Sequence, residues 1–270
     1  ADQTLTVNCL SALRKLAATA QCRFISARNG GSEALLDLIV GNVDAEGNGK
    51  LAELGCEVLM ALAVEEEYKV QAKNAGAISE LVRVMRLPSS GTVPCKAAHT
   101  VAELCNGCKE NRIEFRKCLG MRPLVRLLNA GPDSSVTIAG SALISVLAVE
   151  RENKDVLRNC QAFDALLALI RVGPESRASV SALRAVQGMC QEHYLNQNAA
   201  REVGILTELV NYIKGGHRYA AAVGAAAGAM ASLCSAGNAT NVAAFRSLGG
   251  MEVLLEYVQG GLGPAEGSDM

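Results

Sequence analysis

Side chains of reactive types occur in this 270-residue chain, but they lack the spacing that catalysis or metal binding needs. Cys105 and Cys108 form a CxxC pair, the spacing of a dithiol redox centre or of half a zinc site, yet no second CxxC follows. The three histidines, His99, His193 and His217, have no partner at helical ligand spacing. The glutamate clusters fall at predicted turns and are typical of solvated surfaces. We therefore predict a non-enzymatic protein with no catalytic residue, no metal site and no cofactor.

Composition narrows the class of protein further. Lys and Arg number 26 against 27 Asp and Glu, so the formal net charge of −1 argues against a general nucleic-acid binder. Hydrophobic residues make up 50% of the chain, but aromatic residues only 3% and Trp none, which predicts helices packed through Ala, Leu, Val and Cys. The core therefore needs close helix contacts in place of large aromatic side chains.

The compartment is predicted from the ends and the cysteines. Polar and charged residues interrupt the apolar pattern of residues 1–16, so no secretory signal is predicted. Ten cysteines are spread along a chain too long to need disulfides, which favours free thiols in a reducing compartment. The apolar run 220–233 is too short to cross a membrane. We predict an intracellular, most simply cytoplasmic protein without direct membrane insertion, and nuclear shuttling stays open.

Internal repetition is the main signal in the sequence. A Leu-aliphatic pair recurs six times at intervals of 42 to 46 residues, beginning at Leu35, Leu81, Leu124, Leu166, Leu209 and Leu254. A second register recurs at the same intervals, beginning at Leu16, Leu62, Leu104, Leu147, Met189 and Leu233. Two registers with one period indicate a repeat protein.

The sequence of each repeat predicts three helices. Five residues before the Leu pair stands Gly30, Gly76, Leu119, Gln161, Gly204 or Gly249, and in the two exceptions Gly120 and Ala162 place a small residue one position later. An asparagine recurs eight residues before this position in four repeats, as Asn111, Asn153, Asn196 and Asn241. We expect each of them to cap the short helix that follows. In one unit the predicted helices are 111–118, 123–128 and 136–148. Turns are predicted between the second and third helices at 41–49, 88–94, 129–134, 173–175 and 215–216.

On these registers the sequence resembles the armadillo-repeat family, with matching stretches at residues 74–82 (NAGAISELV) and 226–234 (AAGAMASLC). A HEAT-repeat array is the alternative, but the glycine before the second helix favours armadillo. The resemblance implies an all-α, right-handed superhelix, an α-solenoid of about five to six three-helix repeats, incomplete at both ends. We predict one solenoid domain over residues 1–258 and a flexible tail over 259–270.

The resemblance implies that third helices line a concave groove. Family members that bind nuclear localisation peptides carry rows of Trp and Asn side chains along this groove. The Trp-equivalent positions here are Ser11, Glu57, His99, Ala142, Arg184 and Gly228, and the Asn-equivalent positions are Lys15, Ala61, Glu103, Val146, Gly188 and Ser232. No Trp or Asn occupies these positions, so import-adaptor activity is not expected. The long row of basic residues expected of a beta-catenin-type binder of acidic extended peptides is also absent from the sequence.

The function predicted from this surface is a non-enzymatic interaction scaffold or adaptor that binds a peptide or helix along the groove. Two alternatives remain open: a regulatory or substrate-recruiting segment of a larger enzyme such as a ubiquitin ligase, or a structural component that self-associates through its incomplete end repeats. The sequence does not identify the protein partner. The predicted groove residues are Arg14, Glu57, His99, Glu103, Arg184, Gln187, Gly224 and Gly228.

Overall fold

A computed structural model of the chain describes residues 3–215, 219–235 and 237–259. Over these residues the secondary structure consists of eighteen α-helices and a short 3-10 helix, Leu128–Ala130, without β-strands. Most of the predicted tail at 259–270, together with His217, lies outside the described residues.

The helices recur in the predicted order of three per repeat. The first helices are α2 (Ala20–Arg28), α5 (Glu66–Asn74), α8 (Lys109–Lys117), α11 (Arg151–Asn159), α14 (Tyr194–Glu202) and α17 (Ala239–Ser247). The second helices are α3 (Gly31–Gly41), α6 (Ala77–Val84), α9 (Met121–Leu127), α12 (Ala162–Ile170), α15 (Ile205–Gly215) and α18 (Gly250–Val258). The third helices are α1 (Gln3–Leu16), α4 (Lys50–Leu62), α7 (Thr92–Cys105), α10 (Ser135–Leu147), α13 (Arg177–Cys190) and α16 (Ala220–Leu233).

For the predicted helices 111–118, 123–128 and 136–148, the observed boundaries of α8, α9 and α10 lie within two residues of the prediction. The predicted turn at 88–94 extends too far, because α7 begins at Thr92 and Pro94 is its third residue. Proline is tolerated in the first turn of a helix, where its missing N–H would have no intrahelical acceptor. Gly215 likewise belongs to α15 as its last residue, whereas the sequence placed it in a turn.

The chain divides into two compact units, residues 1–130 with α1 to α9 and residues 131–270 with α10 to α18. In unit 1 the third helices α1, α4 and α7 pack in a row, and α2, α5 and α8 do the same. In unit 2 the rows are α10, α13 and α16 for the third helices and α12, α15 and α18 for the second. Each unit is therefore a stack of repeats in which a helix packs against its equivalent in the next repeat.

The core of each unit is aliphatic, as the composition predicts. Its fully buried side chains are mainly Leu, Ala, Val and Ile, and Phe115 is among the largest of them. Apolar side chains are also exposed on the outermost helices, including Leu5 on α1 and Val258 on α18.

The recurrent asparagines do not cap the helix that follows, so that prediction is wrong. Each is the third residue of a first helix and points back to the carboxyl end of the preceding third helix. Asn196 donates from Nδ2 to the carbonyls of Met189, at 3.0 Å, and Lys154, at 3.3 Å. Asn241 repeats the arrangement on Leu233, at 2.8 Å. A buried asparagine thus satisfies a carbonyl in the last turn of a third helix, which the end of the helix leaves without an intrahelical partner.

In three of the four repeats the residue after the asparagine reinforces this tie, as Arg112, Lys154 and Gln197 do, whereas the residue after Asn241 is the apolar Val242. In these three repeats the fourth residue of the first helix donates from its side chain to a carbonyl at the carboxyl end of a third helix. Arg112 donates to the carbonyl of Cys105 at 3.0 Å, and Gln197 donates to that of Cys190 at 3.1 Å. Cationic side chains here also interact favourably with the negative end of the helix dipole. These contacts fix how the first helix meets the third.

The position before the second helix needs a left-handed backbone. Gly30, Gly76 and Gly249 occupy it with φ of 69°, 84° and 73°. Leu119 and Gln161 adopt the same conformation with φ of 56° and 61°, although side chains disfavour it. Gly120 and Ala162, which follow Leu119 and Gln161, therefore do not take over the role of this glycine.

His193 is the N-cap residue of α14 and makes stability depend on pH. Its Nδ1 accepts the N–H of Asn196 at 3.3 Å, and its ring is buried. Burial lowers the pKa of His193, and Arg151, Lys154 and Arg158 lower it further against the opposing charge of Asp155. The unfolded chain therefore binds a proton more readily than the folded chain does. This stabilisation is complete above the unfolded pKa and is lost as pH falls through the folded pKa.

We predict that the variant His193→Ser, which keeps a capping oxygen, loses less stability than the unaltered chain between pH 7 and pH 5. Urea denaturation followed by circular dichroism at both pH values measures the difference. His99 titrates in both proteins and cancels in the comparison. Equal losses in the two proteins would contradict the role assigned to His193.

Candidate functional site

The third helices carry the predicted site, and hydrogen bonds set their register within each unit. In unit 1, Oγ1 of Thr100 on α7 donates to the carbonyl of Cys56 on α4 at 3.1 Å. In unit 2, Oγ of Ser181 on α13 donates to the carbonyl of Ile138 on α10 at 3.3 Å. Because equivalent helices run in the same direction, equivalent side chains on their solvent-facing sides form rows across the unit.

The row in unit 1 contains an ion-pair network centred on Glu57. Its carboxylate on α4 pairs with Arg14 on α1 and, at 2.7 Å, with Nζ of Lys96 on α7. Burial raises the pKa of Glu57, but the hydrogen bonds and charges of Lys96 and Arg14 outweigh it and hold the pKa below its ordinary value. Two of the predicted groove residues, Arg14 and Glu57, therefore neutralise each other. A ligand at this point has to compete with them.

His99 and Glu103 follow Lys96 along α7. His99 is half-buried, and its Nδ1 lies 4.0 Å from Sγ of Cys95. Burial and the charge of Lys96 lower the pKa of His99 against the influence of Glu103. The Glu103 side chain is exposed and forms no ion pair within the described part of the chain. Glu103 is thus a free negative charge on this surface.

The row in unit 2 brings four predicted residues together. Arg184 and Gln187 lie on consecutive turns of α13, and Gly224 and Gly228 lie on consecutive turns of α16. A Cβ built on Gly228 would lie 2.9 Å from Oε1 and 3.1 Å from Cδ of Gln187, so the carboxamide lies directly against this glycine. A Cβ on Gly224 would meet no atom within 4 Å. Gly228 therefore makes room for Gln187, whereas Gly224 faces open space.

The structure also locates the positions equivalent to the Trp and Asn ladders. Apart from Ser232, which is buried, these side chains are exposed or half-buried on the third helices. Sequence reasoning missed Lys96 as a member of this surface. Lys96 lies one helical turn before His99, on the same face of the helix. This spacing could have shown that its side chain reaches Glu57 on the neighbouring third helix.

The CxxC pair does not have the environment of a reactive dithiol. Cys105 is the last residue of α7, and both Cys105 and Cys108 are fully buried, as predicted for core thiols. Burial raises the pKa of both thiols, whereas redox and metal-binding cysteines need the thiolate at neutral pH. Among the described residues, no group of three His, Cys, Asp or Glu side chains is placed to bind a metal ion.

Solved structures with designed and natural repeats share this fold. An engineered protein aligns with a TM-score of 0.82 over 94% of this chain and 60% of its own, at 21% identity. A designed armadillo repeat protein in complex with the peptide (KR)4 aligns with a TM-score of 0.70 over 86% of this chain and all of its own, at 19% identity. A structure of the cadherin and beta-catenin interaction aligns with a TM-score of 0.56 over 96% of this chain and 55% of its own, at 14% identity.

These comparisons identify the fold. The chain has the armadillo-type helical repeat fold that its registers predicted. No protein-family model matches it, and no curated protein matches it. Within the described residues, no helix is both long enough and apolar enough to cross a membrane.

Proposed function

We propose that this chain is a non-enzymatic protein-interaction module that binds a peptide or helix on the solvent-facing sides of its third helices. The observation that carries the proposal is the set of polar groups left unused there: Glu103 in unit 1, and Arg184 and Gln187 in unit 2, have no hydrogen-bond or ion-pair partner among the described residues. Peptide recognition is also what some neighbours of this fold are designed for, and one designed armadillo repeat protein is solved in complex with a peptide.

The proposed mode of binding follows from the chemistry of these groups. Within unit 2, a guanidinium and a carboxamide on consecutive turns of α13 suit a segment that also contacts the third helix of the next repeat. Aromatic side chains, which dominate many protein interfaces, make up only 3% of the chain. Affinity in this proposal comes from the length of the contact, and specificity comes from the few charged groups.

We predict that the double variant Glu103→Lys, Arg184→Glu loses partners that the unaltered chain retains in a pull-down from cell extract read by mass spectrometry. Because both side chains are exposed and unpaired in the described structure, the free energy of unfolding changes by less than about 0.5 kcal/mol. Circular dichroism checks that the helices remain.

The matched control is the double variant Arg122→Glu, Asp164→Lys, which makes the same two charge reversals on exposed positions of the second helices α9 and α12. It is expected to retain every partner. Partners retained equally by the third-helix variant and by the control would overturn the proposal and move the binding surface to other helices.

A further inference from the structure

A cavity of about 220 Å³ lies between the first helices α2 and α5 of unit 1. Its walls are largely apolar, since two alanines and two aromatic rings contribute to them. An apolar cavity of about 150 Å³ can hold a benzene molecule, so this one has room for a single side chain. We call it the first-helix cavity, and its lining includes Ala20, Phe24, Ala27, Glu67, Tyr68 and Gln71.

An arginine occupies the equivalent place in two interfaces between repeats of unit 2. Arg158 is the eighth residue of α11, and its Nη1 donates at 2.7 Å to Oδ1 of Asn196, the third residue of α14. Arg201 is the eighth residue of α14, and its Nε donates at 3.0 Å to Oδ1 of Asn241, the third residue of α17. In both interfaces a guanidinium from one first helix pairs with an asparagine of the next.

Both members of this pair are replaced at the first-helix cavity. Ala27 is the eighth residue of α2, and Tyr68 is the third residue of α5. The side chain of alanine is too short to reach the next helix, so the place that arginine occupies in unit 2 is open here. Departures from a protein's own pattern are expected at functional sites. At the eighth position the other first helices carry the basic residues Lys73, Arg116, Arg158, Arg201 and Arg246.

The lining of the first-helix cavity offers acceptors to a cation. Glu67 is exposed, and Nε2 of Gln71 donates to its Oε1 at 3.3 Å. Oε1 of Gln71 is buried and accepts no hydrogen bond from the described residues. A guanidinium carries five N–H donors in a planar fork, which suits a carboxylate and a carboxamide oxygen side by side. The aromatic rings of Phe24 and Tyr68 attract a cation that lies over their faces.

Two arginines near the first-helix cavity do not take this role. Arg23 lines the cavity, but its Nη2 pairs with Glu65 at 2.6 Å and its Nη1 donates to backbone carbonyls of the preceding turn. The guanidinium of Arg28 lies over Phe24, 5.4 Å from the ring centroid, and does not line the cavity. Among the charged residues of the lining, Glu67 is therefore the one that forms no ion pair within the described structure.

We infer that the first-helix cavity binds an arginine side chain of a partner polypeptide. Its alkyl stem packs against Ala27 and the aromatic rings, and its guanidinium pairs with Glu67 and Gln71. Free arginine suits the cavity less well, because its carboxylate would add a negative charge next to Glu67. The site lies on the first helices, so it is separate from the third-helix surface and does not depend on the proposed function.

Titration of the intact chain with Nα-acetyl-L-arginine amide, which presents the side chain as a polypeptide does, tests the inference by NMR. The chain contains four phenylalanines, so labelling their rings with ¹³C gives few signals, and Phe24→Leu identifies the signal of Phe24. We expect the probe to shift this signal in a saturable manner. The uncharged analogue Nα-acetyl-L-citrulline amide is expected to bind at least about threefold more weakly, and Glu67→Gln is expected to weaken the arginine probe by a similar factor.

The variant Ala27→Arg places the chain's own arginine in the cavity and is expected to abolish the shift of Phe24. Its matched control is Gln21→Arg, which adds an arginine at an exposed position of the same helix outside the lining and is expected to bind the probe normally. Circular dichroism checks that both variants fold.

Three results would overturn parts of the inference. Equal binding of the citrulline and arginine probes would exclude recognition of the charge. Free L-arginine that binds more tightly than the blocked probe would exclude a polypeptide as the source of the side chain. A probe that leaves the Phe24 signal unshifted, or that binds Ala27→Arg as well as the unaltered chain, would exclude the site itself.

Discussion

Replacing Asn196 with alanine is expected to lower the free energy of unfolding by about 2 to 4 kcal/mol, since the buried Met189 carbonyl loses its partner and the Lys154 carbonyl and the Arg158 guanidinium each lose one hydrogen bond. Asn196 is fully buried. Its Nδ2 donates to the carbonyls of Met189 and Lys154, and its Oδ1 accepts from Arg158 at 2.7 Å. Alanine is too small to fill the site and offers none of these bonds. Urea denaturation followed by circular dichroism measures the loss.

The control for this prediction is Asn211→Ala, at an exposed position of α15. Because alanine favours helix and Asn211 is exposed, its effect is expected to stay within about 0.5 kcal/mol. A loss below about 1 kcal/mol for Asn196→Ala would show that water replaces the asparagine at little cost. The asparagine would then not be the tie between the first and third helices that we describe.

Replacing Gly120 with alanine is expected to cost about 1 to 3 kcal/mol through overpacking. The backbone at Gly120 is ordinary helix, so the reason is steric and not conformational. A Cβ there would lie 2.5 Å from Cζ of Phe115 and 2.7 Å from both Cε atoms, and the phenyl ring is fully buried. Such a ring has no space into which to move. Thermal and urea denaturation both report the loss.

A double-mutant cycle separates this clash from other effects of the added methyl group. In the background Phe115→Leu, Gly120→Ala is expected to cost at least about 1 kcal/mol less, because a smaller side chain relieves the contact. Gly224→Ala is the matched glycine control and is expected to stabilise the chain by about 0.5 to 1 kcal/mol, since its Cβ meets nothing. An equal cost of Gly120→Ala with and without Phe115 would contradict the steric account.

The architecture could be predicted from the sequence because the two registers fix which residues of each helix face the core. Leu81, Leu124 and Leu209 fall at one place in the period, and each is fully buried on a second helix. A period of 42 to 46 residues leaves space for three helices and short turns. Helix bounds and core composition follow from such local patterns.

The role of the recurrent asparagines could not be predicted in the same way. A short polar residue near a helix start suits an N-cap, and local sequence does not reveal which carbonyls lie within reach. Asn241 donates to Gln197, which is 44 residues away, so its role depends on how the repeats stack. Leu119 is a second example. Its side-chain type does not predict the left-handed backbone that it adopts, which glycine adopts at the equivalent position of other repeats.

For the candidate site, the sequence predicted the rows but not the contacts between them. The Glu57 ion pairs with Arg14 and Lys96 join three helices whose relative register no single repeat specifies. Gly224 and Gly228 looked alike in sequence, one turn apart in an alanine-rich helix. The structure distinguishes them, because Gln187 occupies the space beside Gly228 and nothing occupies the space beside Gly224.

The measurement that tests the central claim most directly is a crystal structure of the chain with a peptide from a partner that the unaltered chain retains and that the double variant Glu103→Lys, Arg184→Glu loses. We predict that the peptide lies on the solvent-facing sides of the third helices, in contact with Glu103 or with Arg184 and Gln187. A peptide bound to the first or second helices, with the surface of the third helices left in solvent, would contradict the account.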